Sequence, residues 1–291
     1  MNFSSSLRIA SDYNRALPAP IRWVHVLFAV VLWPFEPGLR WLYAPPRRWL
    51  TVPLTWAVAL TLLLLPLDGP ISRALRSVRL GGDIRREFET WQQYGAVGSL
   101  VFTGVVILLL DEKRRRRLLD LVAAVASVGV AINLLKLFIG RPRPKFDDPT
   151  HFLGPFGVYP VSETAGARHA WEVWGGISSD LWSMPSSHTA YAVVLSVFLY
   201  ALYPRLLPLV VFMPCFVGFA RILLGGHYLT DVIVGGLIAY PLAHRAVKCQ
   251  WGVRIAAWWA IRGTDRRHSP APQDPAPAPE SLAEPVGTGP S

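Results

Sequence analysis

The chain has 291 residues, of which 52% are hydrophobic and only 16% are charged, and its mean hydropathy is +0.33. Soluble globular proteins carry about 25% charged residues, so this composition excludes an ordinary water-soluble enzyme. The formal net charge is +10, but the basic residues lie mostly at the ends of apolar runs, as in membrane proteins, and do not indicate a nucleic-acid partner. Cys215 and Cys249 are too few for a disulfide framework or a thiolate metal site.

The first segment, residues 1–48, is expected to hold an interfacial or kinked membrane helix. Residues 1–20 are polar, and the apolar run 21–33 is short and is interrupted by Pro34. The run therefore either lies at the membrane interface or continues to Leu42 as an additional span.

Residues 49–247 contain six apolar runs of about the length that crosses a hydrocarbon layer of roughly 30 Å as a helix. These runs are Trp49–Leu67, Tyr94–Leu110, Leu118–Ile139, His188–Tyr203, Leu206–Leu224 and Tyr228–Val247. The predicted fold class is all-α, a polytopic membrane helix bundle of about six transmembrane helices. Between the first two runs, Ile71–Trp91 mixes arginines with apolar residues at a spacing that predicts a helix lying at the headgroups.

The basic connection Lys113–Arg117 predicts the orientation of the bundle, because short cytoplasmic loops carry an excess of Lys and Arg. Arg205 and the basic residues after the last run agree with it. The arginines of Ile71–Trp91 would then lie outside, against the same rule. Residues 248–262 are interpreted as a basic and aromatic membrane-flanking segment, and residues 263–291, rich in Pro and Ala, as a disordered tail. Arg outnumbers Lys by 25 to 4, which suggests a GC-rich bacterial source and hence the cytoplasmic (inner) membrane.

With this orientation, three distant segments reach the same, outer side of the membrane. The first contains Lys136 within the third run and Arg143 beyond its end. A charged side chain inside a span costs about 2.5–3.5 kcal/mol of insertion free energy, so Lys136 is a candidate functional residue. A lysine whose ammonium reaches the headgroups is an equally good interpretation. The second segment, Met184–His188, resembles a helix start, whose free N–H groups attract anions, or a simple serine cap.

The third segment contains Arg221, His227 and Asp231. His227 and Asp231 are spaced i, i+4, so the carboxylate can hold one imidazole nitrogen while the other faces outward, as in an activated histidine. An interfacial histidine bonded to a helix-capping aspartate is the alternative.

The polar residues of these three segments could form either a metal site or an anion site. His188, His227 and Asp231 would make a plausible ligand set, but Lys136 and the two arginines would crowd a dication. The same cations and helix starts suit a phosphate group, so we expect an anion site without a metal or cofactor.

These motifs resemble the three-part signature of the type 2 phosphatidic acid phosphatase (PAP2) superfamily. The matching residues are Lys136-x6-Arg143-Pro144, Pro185-Ser186-Ser187-His188 and Arg221-x5-His227-x3-Asp231. Two positions depart from the usual pattern, because Ser187 replaces a glycine and Ala220 replaces a serine.

The resemblance implies a membrane lipid phosphatase whose site faces the periplasm or exterior. It assigns His227 as the nucleophile that forms a phosphohistidine, Asp231 as its orienting carboxylate and His188 as the general acid and base. The residues implied to bind the phosphate are Lys136, Arg143, Ser186, Ser187 and Arg221.

The implied partners are a membrane lipid phosphate and the bilayer. Phosphatidic acid, phosphatidylglycerol phosphate, a polyprenyl diphosphate and a glycolipid phosphate all fit, and the oligomeric state is left open. A phosphotransferase with the same phosphohistidine is one alternative. A non-enzymatic lipid-phosphate binder or transporter is another, disfavoured because binding needs no acid–nucleophile pair. The loop histidines His151 and His169 are interpreted as solvated.

Overall fold

The computed structural model describes residues 44–162, 166–172 and 178–268. Its helices are α1 Arg48–Ser77, α2 Gly82–Trp91, α3 Val97–Leu110, α4 Leu118–Ile139, α5 Ser187–Leu202, α6 Leu207–Leu223, α7 Leu229–Lys248 and α8 Trp251–His268. Two short strands, β1 Val158–Ser162 and β2 Gly166–His169, form an antiparallel hairpin in the loop between α4 and α5. The expected N-terminal membrane segment, residues 21–42, and the tail from residue 269 lie outside the described residues.

The all-α fold class is confirmed, and the apolar runs predicted most of the helix bounds. Helix α4 has the predicted bounds, while α5, α6 and α7 each begin and end within one residue of them. Helix α3 begins three residues later than expected because Gln92–Gly95 forms a 3-10 turn. In the described part of the chain, three helices are long and apolar enough to cross a membrane, or up to five spans if each of two bent helix pairs counts as one. The number six stays a prediction.

The prediction of a single headgroup helix over Ile71–Trp91 is wrong. Helix α1 does not end at Leu67 but continues to Ser77, and α2 begins only after a break at residues 78–81. The physical reason is Asp68, which resembles a helix end in the sequence but is fully buried and bonded to residues of α7 and the α4–α5 loop. A carboxylate with such partners can remain inside a packed helix.

The C-terminal region also differs from the expected boundary. Helix α8 runs to His268 and so includes the first six residues of the segment 263–291 that was expected to be disordered. Trp258, Trp259 and Ile261 are exposed on this helix, and the membrane-flanking role of residues 248–262 stays a prediction.

Helix α7 is the centre of the bundle and packs against α1, α4, α5 and α6. The core between these helices is apolar and includes the buried residues Val128, Ile132, Leu195, Phe198 and Ala239. The lipid-facing surface is equally apolar, because large hydrophobic side chains remain exposed along α1, α3, α4 and α6. An exposed apolar surface of this extent on long helices is that of an integral membrane protein.

The two ends of the bundle have different chemistry. At one end the basic connection meets the ends of α5 and α7: the Arg117 guanidinium donates to the Val247 carbonyl (2.7 Å), and the Tyr203 hydroxyl to Asp111 (2.9 Å). Helix α4 runs from this end to the other, where it ends at Gly140 with φ +57°. The starts of α5 and α7 and the end of α6 lie at that same second end, so the three motif segments meet there.

Gly95 sets how closely the 3-10 turn before α3 approaches α5. A Cβ at this position would lie 2.0 Å from the His188 carbonyl oxygen, so backbone must move to accept it. We expect Gly95→Ala to destabilise the protein by about 1–3 kcal/mol and to lower the midpoint of thermal unfolding in detergent. Gly98→Ala is the matched control, since a Cβ there meets nothing within 4 Å. Equal midpoints for the two variants would contradict the close contact.

Candidate active site

Asp231, in the first turn of α7, is a fully buried carboxylate with three hydrogen-bond donors. It accepts from the Arg141 guanidinium (2.6 Å), the Ser183 hydroxyl (2.5 Å) and the Tyr228 backbone N–H (2.8 Å). Three hydrogen-bond donors, one of them a guanidinium, stabilise the ionised form of a carboxylate. Asp231 therefore supplies a fixed negative charge beside the turn that carries His227.

His227 lies in the turn between α6 and α7 and is only 2% exposed. Its Nδ1 is 2.6 Å from the Ser183 carbonyl oxygen and 3.6 Å from the Asp231 carboxylate. A carbonyl oxygen can only accept, so Nδ1 carries the proton and Nε2 has a free lone pair. The expected direct hydrogen bond from imidazole to Asp231 is thus replaced by one to a backbone carbonyl, with the carboxylate just behind it.

Arg141 joins the carboxylate of α7 to that of α1. Its fully buried guanidinium donates to Asp231 (2.6 Å), to Asp68 (2.7 Å) and to the Thr230 hydroxyl (2.8 Å), and its Nε donates to the Pro149 carbonyl (3.0 Å). The Thr230 hydroxyl and N–H both donate to Asp68. One cation between two carboxylates, with nearly every donor used, can be buried at acceptable cost.

The three cations of the sequence motifs lie around this network with much of their donor capacity left over. Lys136 is 7% exposed, and its ammonium makes no hydrogen bond with the described residues. Arg143 uses only Nε, which donates to the Ser179 carbonyl (2.6 Å), and Arg221 uses Nη1, which donates to the Gln92 side chain (3.0 Å). The Arg221 Nε is buried without an acceptor among the residues that the structure describes. These free donors fit an anionic ligand.

The start of α5 supplies backbone donors, but fewer than expected. Ser186 is the N-cap residue, and its own N–H donates to the Asp231 backbone carbonyl (3.0 Å) while its hydroxyl accepts from Thr189. Ser186 therefore holds α5 against α7, and the N–H groups of Ser187 and His188 are the ones left for a ligand in this part of the structure. Ala220, the other departure from the usual motif, is fully buried in α6.

An entrance leads to these groups from the end of the bundle. It is a cavity of about 530 Å³ whose lining includes Arg143, Arg221, Gln92, Asp180 and Gly226. A Cβ on Gly226 would lie 2.5 Å from the Arg221 guanidinium, so glycine is needed for that side chain to lie across the turn. Burial lowers the pKa of Arg143, and Asp180 opposes this effect. The entrance is thus a polar pocket whose wall carries motif cations.

Sequence reasoning missed four residues of this site. Asp68 and Arg141 carried a signal, since charges at the ends of apolar runs are expensive and usually paired. Gln92 and Ser183 carried none, because a glutamine in a connecting segment and a main-chain carbonyl have no motif. The loop histidines are outside the cluster: the His169 ring bonds the Gly157 carbonyl (2.9 Å), and His151 packs on Tyr159. In the described ranges no group of three or more His, Cys, Asp or Glu could hold a metal ion.

Comparison with known proteins agrees with the motifs. The family model of the PAP2 superfamily matches residues 117–255, which contain all three motifs. No curated protein matches the sequence.

Two solved structures match this chain at low sequence identity. One is Aquifex aeolicus LpxE, with 19% identity, a TM-score of 0.46, and coverage of 62% of this chain and 95% of that chain. The other is a transmembrane PAP2-type phosphatidylglycerolphosphate phosphatase from Bacillus subtilis, with 21% identity, a TM-score of 0.46, and coverage of 77% and 98%.

Removing the guanidinium of Arg141 is expected to leave two buried carboxylates without their shared partner. Arg141→Lys keeps the charge but cannot reach Asp68, Asp231 and Thr230 together, so we expect about 3–5 kcal/mol of destabilisation, measured as a lower midpoint of thermal unfolding. Arg73→Lys is the control, because the Arg73–Asp147 pair is exposed. A midpoint for Arg141→Lys equal to that control would contradict the network.

Burial of the imidazole lowers the pKa of His227 to about 4, although Asp231 opposes the effect. In the unfolded chain this histidine has an ordinary pKa of about 6.5. Between about pH 4 and pH 6.5 it is therefore protonated in the unfolded chain and neutral in the folded protein. Stability should therefore fall as the pH falls from about 6.5 to about 4, by about 3 kcal/mol from this group. Thermal unfolding at pH 7 and pH 4.5 should show a smaller pH effect in His227→Gln than in the wild type. The same pH effect in both proteins would refute a neutral buried His227.

Proposed function

We propose that the protein is a membrane phosphatase whose substrate is a lipid monophosphate or diphosphate. It removes the terminal phosphate through a phosphohistidine intermediate on His227. The observation that carries this proposal is the hydrogen bond from His227 Nδ1 to the Ser183 carbonyl (2.6 Å). It fixes the tautomer in which Nε2 is an unprotonated nucleophile. The low pKa of His227 keeps this form populated at neutral pH.

The charge around the nucleophile suits a transferring phosphoryl group. Lys136, Arg143 and Arg221 bring three cations with unused donors, and the Ser187 and His188 N–H groups add a helix N-terminus. Phosphate-monoester hydrolysis is among the slowest uncatalysed reactions, so fixed positive charge on the equatorial oxygens in a largely buried site is the main stabilisation required.

In the first half-reaction, the Nε2 lone pair attacks phosphorus and the bond from phosphorus to the lipid oxygen breaks. His188 donates a proton to that oxygen, which leaves as the lipid alcohol or, from a diphosphate, as the lipid monophosphate. The phosphorylated imidazole becomes cationic. The Ser183 carbonyl and the Asp231 carboxylate, 2.6 and 3.6 Å from Nδ1, stabilise that charge.

In the second half-reaction, His188 accepts a proton from a water molecule that attacks phosphorus. The P–N bond breaks, inorganic phosphate leaves and Nε2 regains its lone pair. His188 is then protonated again, ready for the next substrate.

A lipid substrate is favoured by the surroundings of the site. A cavity of about 280 Å³ opens between α1, α4 and α7, and its lining is apolar except for Thr61. It reaches Met184, which adjoins the site residue Ser183, and Phe152, whose ring lies 5.1 Å from the Arg141 guanidinium. Acyl carbon can therefore lie against apolar side chains while the phosphate is bound at the polar end.

The test is phosphate release by detergent-purified protein from a panel of lipid mono- and diphosphates in EDTA. His227→Ala is expected to lower the rate by roughly 10³-fold or more, because the nucleophile is lost. His151→Ala, an exposed loop histidine, is the matched control and should retain activity. With ³²P-labelled lipid and an alkaline quench, the wild type and the control should carry label, and His227→Ala should carry none.

Three outcomes would contradict parts of this proposal. No release from any lipid, by protein shown to be folded, would overturn the hydrolase. Full activity of His227→Ala would overturn the phosphohistidine. Label that leaves the enzyme only when an alcohol is added would identify a phosphotransferase in place of a hydrolase.

A further inference from the structure

A second cavity lies beside the entrance to the phosphate site and is not used by the mechanism above. Its volume is about 730 Å³, and we call it the basic groove. Its lining is Leu75, Arg76, Val78, Arg79, Leu80, Arg85, Lys145, Leu223, Leu224 and Gly225. Arg85 and Lys145 also line the entrance, so the groove is continuous with the cavity that holds Arg143 and Arg221.

The groove has four cations and no carboxylate in its lining. Three of the cations are paired on its rim: Arg76 with Asp147 (2.7 Å), Arg85 with Glu89 (2.9 Å) and Lys145 with Asp180 (2.7 Å). Arg79 makes no ion pair or side-chain hydrogen bond with any residue in the described ranges, so its charge is the one left uncompensated. An anion in the groove would meet a net positive wall.

The rest of the lining is apolar. Leu75, Val78 and Leu80 lie on one wall, at the break between α1 and α2, and Leu223 and Leu224 lie on the other, at the end of α6. Cations next to leucines suit a charged group attached to a carbon skeleton better than a free, fully hydrated ion.

The position of these arginines also calls for an explanation. The sequence places Arg76, Arg79 and Arg85 at the end of the bundle opposite the basic connection Lys113–Arg117, against the usual distribution of basic residues in membrane proteins. In the structure that end is the one with the proposed phosphate site, because the Arg76 side chain lies against the turn between α6 and α7. A Cβ built on Gly225 of this turn would lie 3.6 Å from that side chain. A binding role accounts for basic residues that topology disfavours.

We propose that the basic groove binds a second anionic group of the substrate, a phosphodiester or second phosphate on the lipid whose terminal phosphate is attacked by His227. This inference rests on the proposed function and narrows it. The preferred substrate then carries two separate anionic groups, and a lipid with a single phosphate fills only the inner site.

The test compares two lipids with the same acyl chains in uncharged detergent micelles. Phosphatidylglycerol phosphate has a phosphodiester besides its terminal phosphate, and phosphatidic acid has the terminal phosphate alone. In Arg79→Ala we expect kcat/KM for phosphatidylglycerol phosphate to fall about tenfold, mainly through KM, because one charge-assisted bond is lost. For phosphatidic acid, kcat/KM should change less than about twofold. Arg86→Ala, on the same helix as Arg85 but outside the groove, should leave both substrates within that range.

The other outcomes separate the inference from the proposed function. An equal loss on both lipids in Arg79→Ala would mean general attraction of anions and would overturn the subsite. A third arm adds phosphatidylglycerol to micelles of phosphatidic acid; stimulation that Arg79→Ala abolishes would assign the groove to a neighbouring lipid and would also overturn it. If folded wild-type protein releases phosphate from neither these two lipids nor the rest of the panel, the proposed function fails, and the inference fails with it.

Discussion

The site depends on one buried interaction, the guanidinium of Arg141 between the carboxylates of Asp68 and Asp231. The three groups come from the end of α4, from α1 and from the start of α7, and all are fully buried. Each charge would be costly alone in an apolar bundle, so none can be placed without the others. The pairing therefore fixes how these three elements meet, and the turn with His227 is placed as a consequence.

Fixing these elements also decides what remains free to react. The Asp231 carboxylate is occupied by Arg141, Ser183 and Tyr228, so it does not compete for the imidazole proton. That proton goes to the Ser183 carbonyl, which leaves Nε2 as the free nitrogen. Meanwhile Lys136 and Arg221 keep unused donors, because neither forms an ion pair with a carboxylate of the described residues. The site thus contains a fully hydrogen-bonded buried ion pair and, beside it, a set of cations with unused donors.

The distribution of positive charge follows the same division. Basic residues at the Lys113–Arg117 end are those from which the cytoplasmic orientation is predicted, whereas those at the opposite end line the entrance and the basic groove. The leucines of the groove and the apolar cavity between α1, α4 and α7 place carbon surface on both sides of the cations. The proposed function, a phosphatase that acts on a lipid, accounts for this combination of surfaces.

The sequence by itself determined the helical class, the bounds of α4 to α7 within a residue, and the three motifs, because apolar run length and local spacing are properties of neighbouring residues. It misjudged Asp68, which has the local character of a helix end and becomes part of α1 through partners 73 and 162 positions away, Arg141 and Thr230. The partners of Arg141 and the roles of Gln92 and of the Ser183 carbonyl were decided by tertiary structure alone. A hydrogen bond between distant segments depends on how the helices pack, and a main-chain acceptor leaves no trace in residue type.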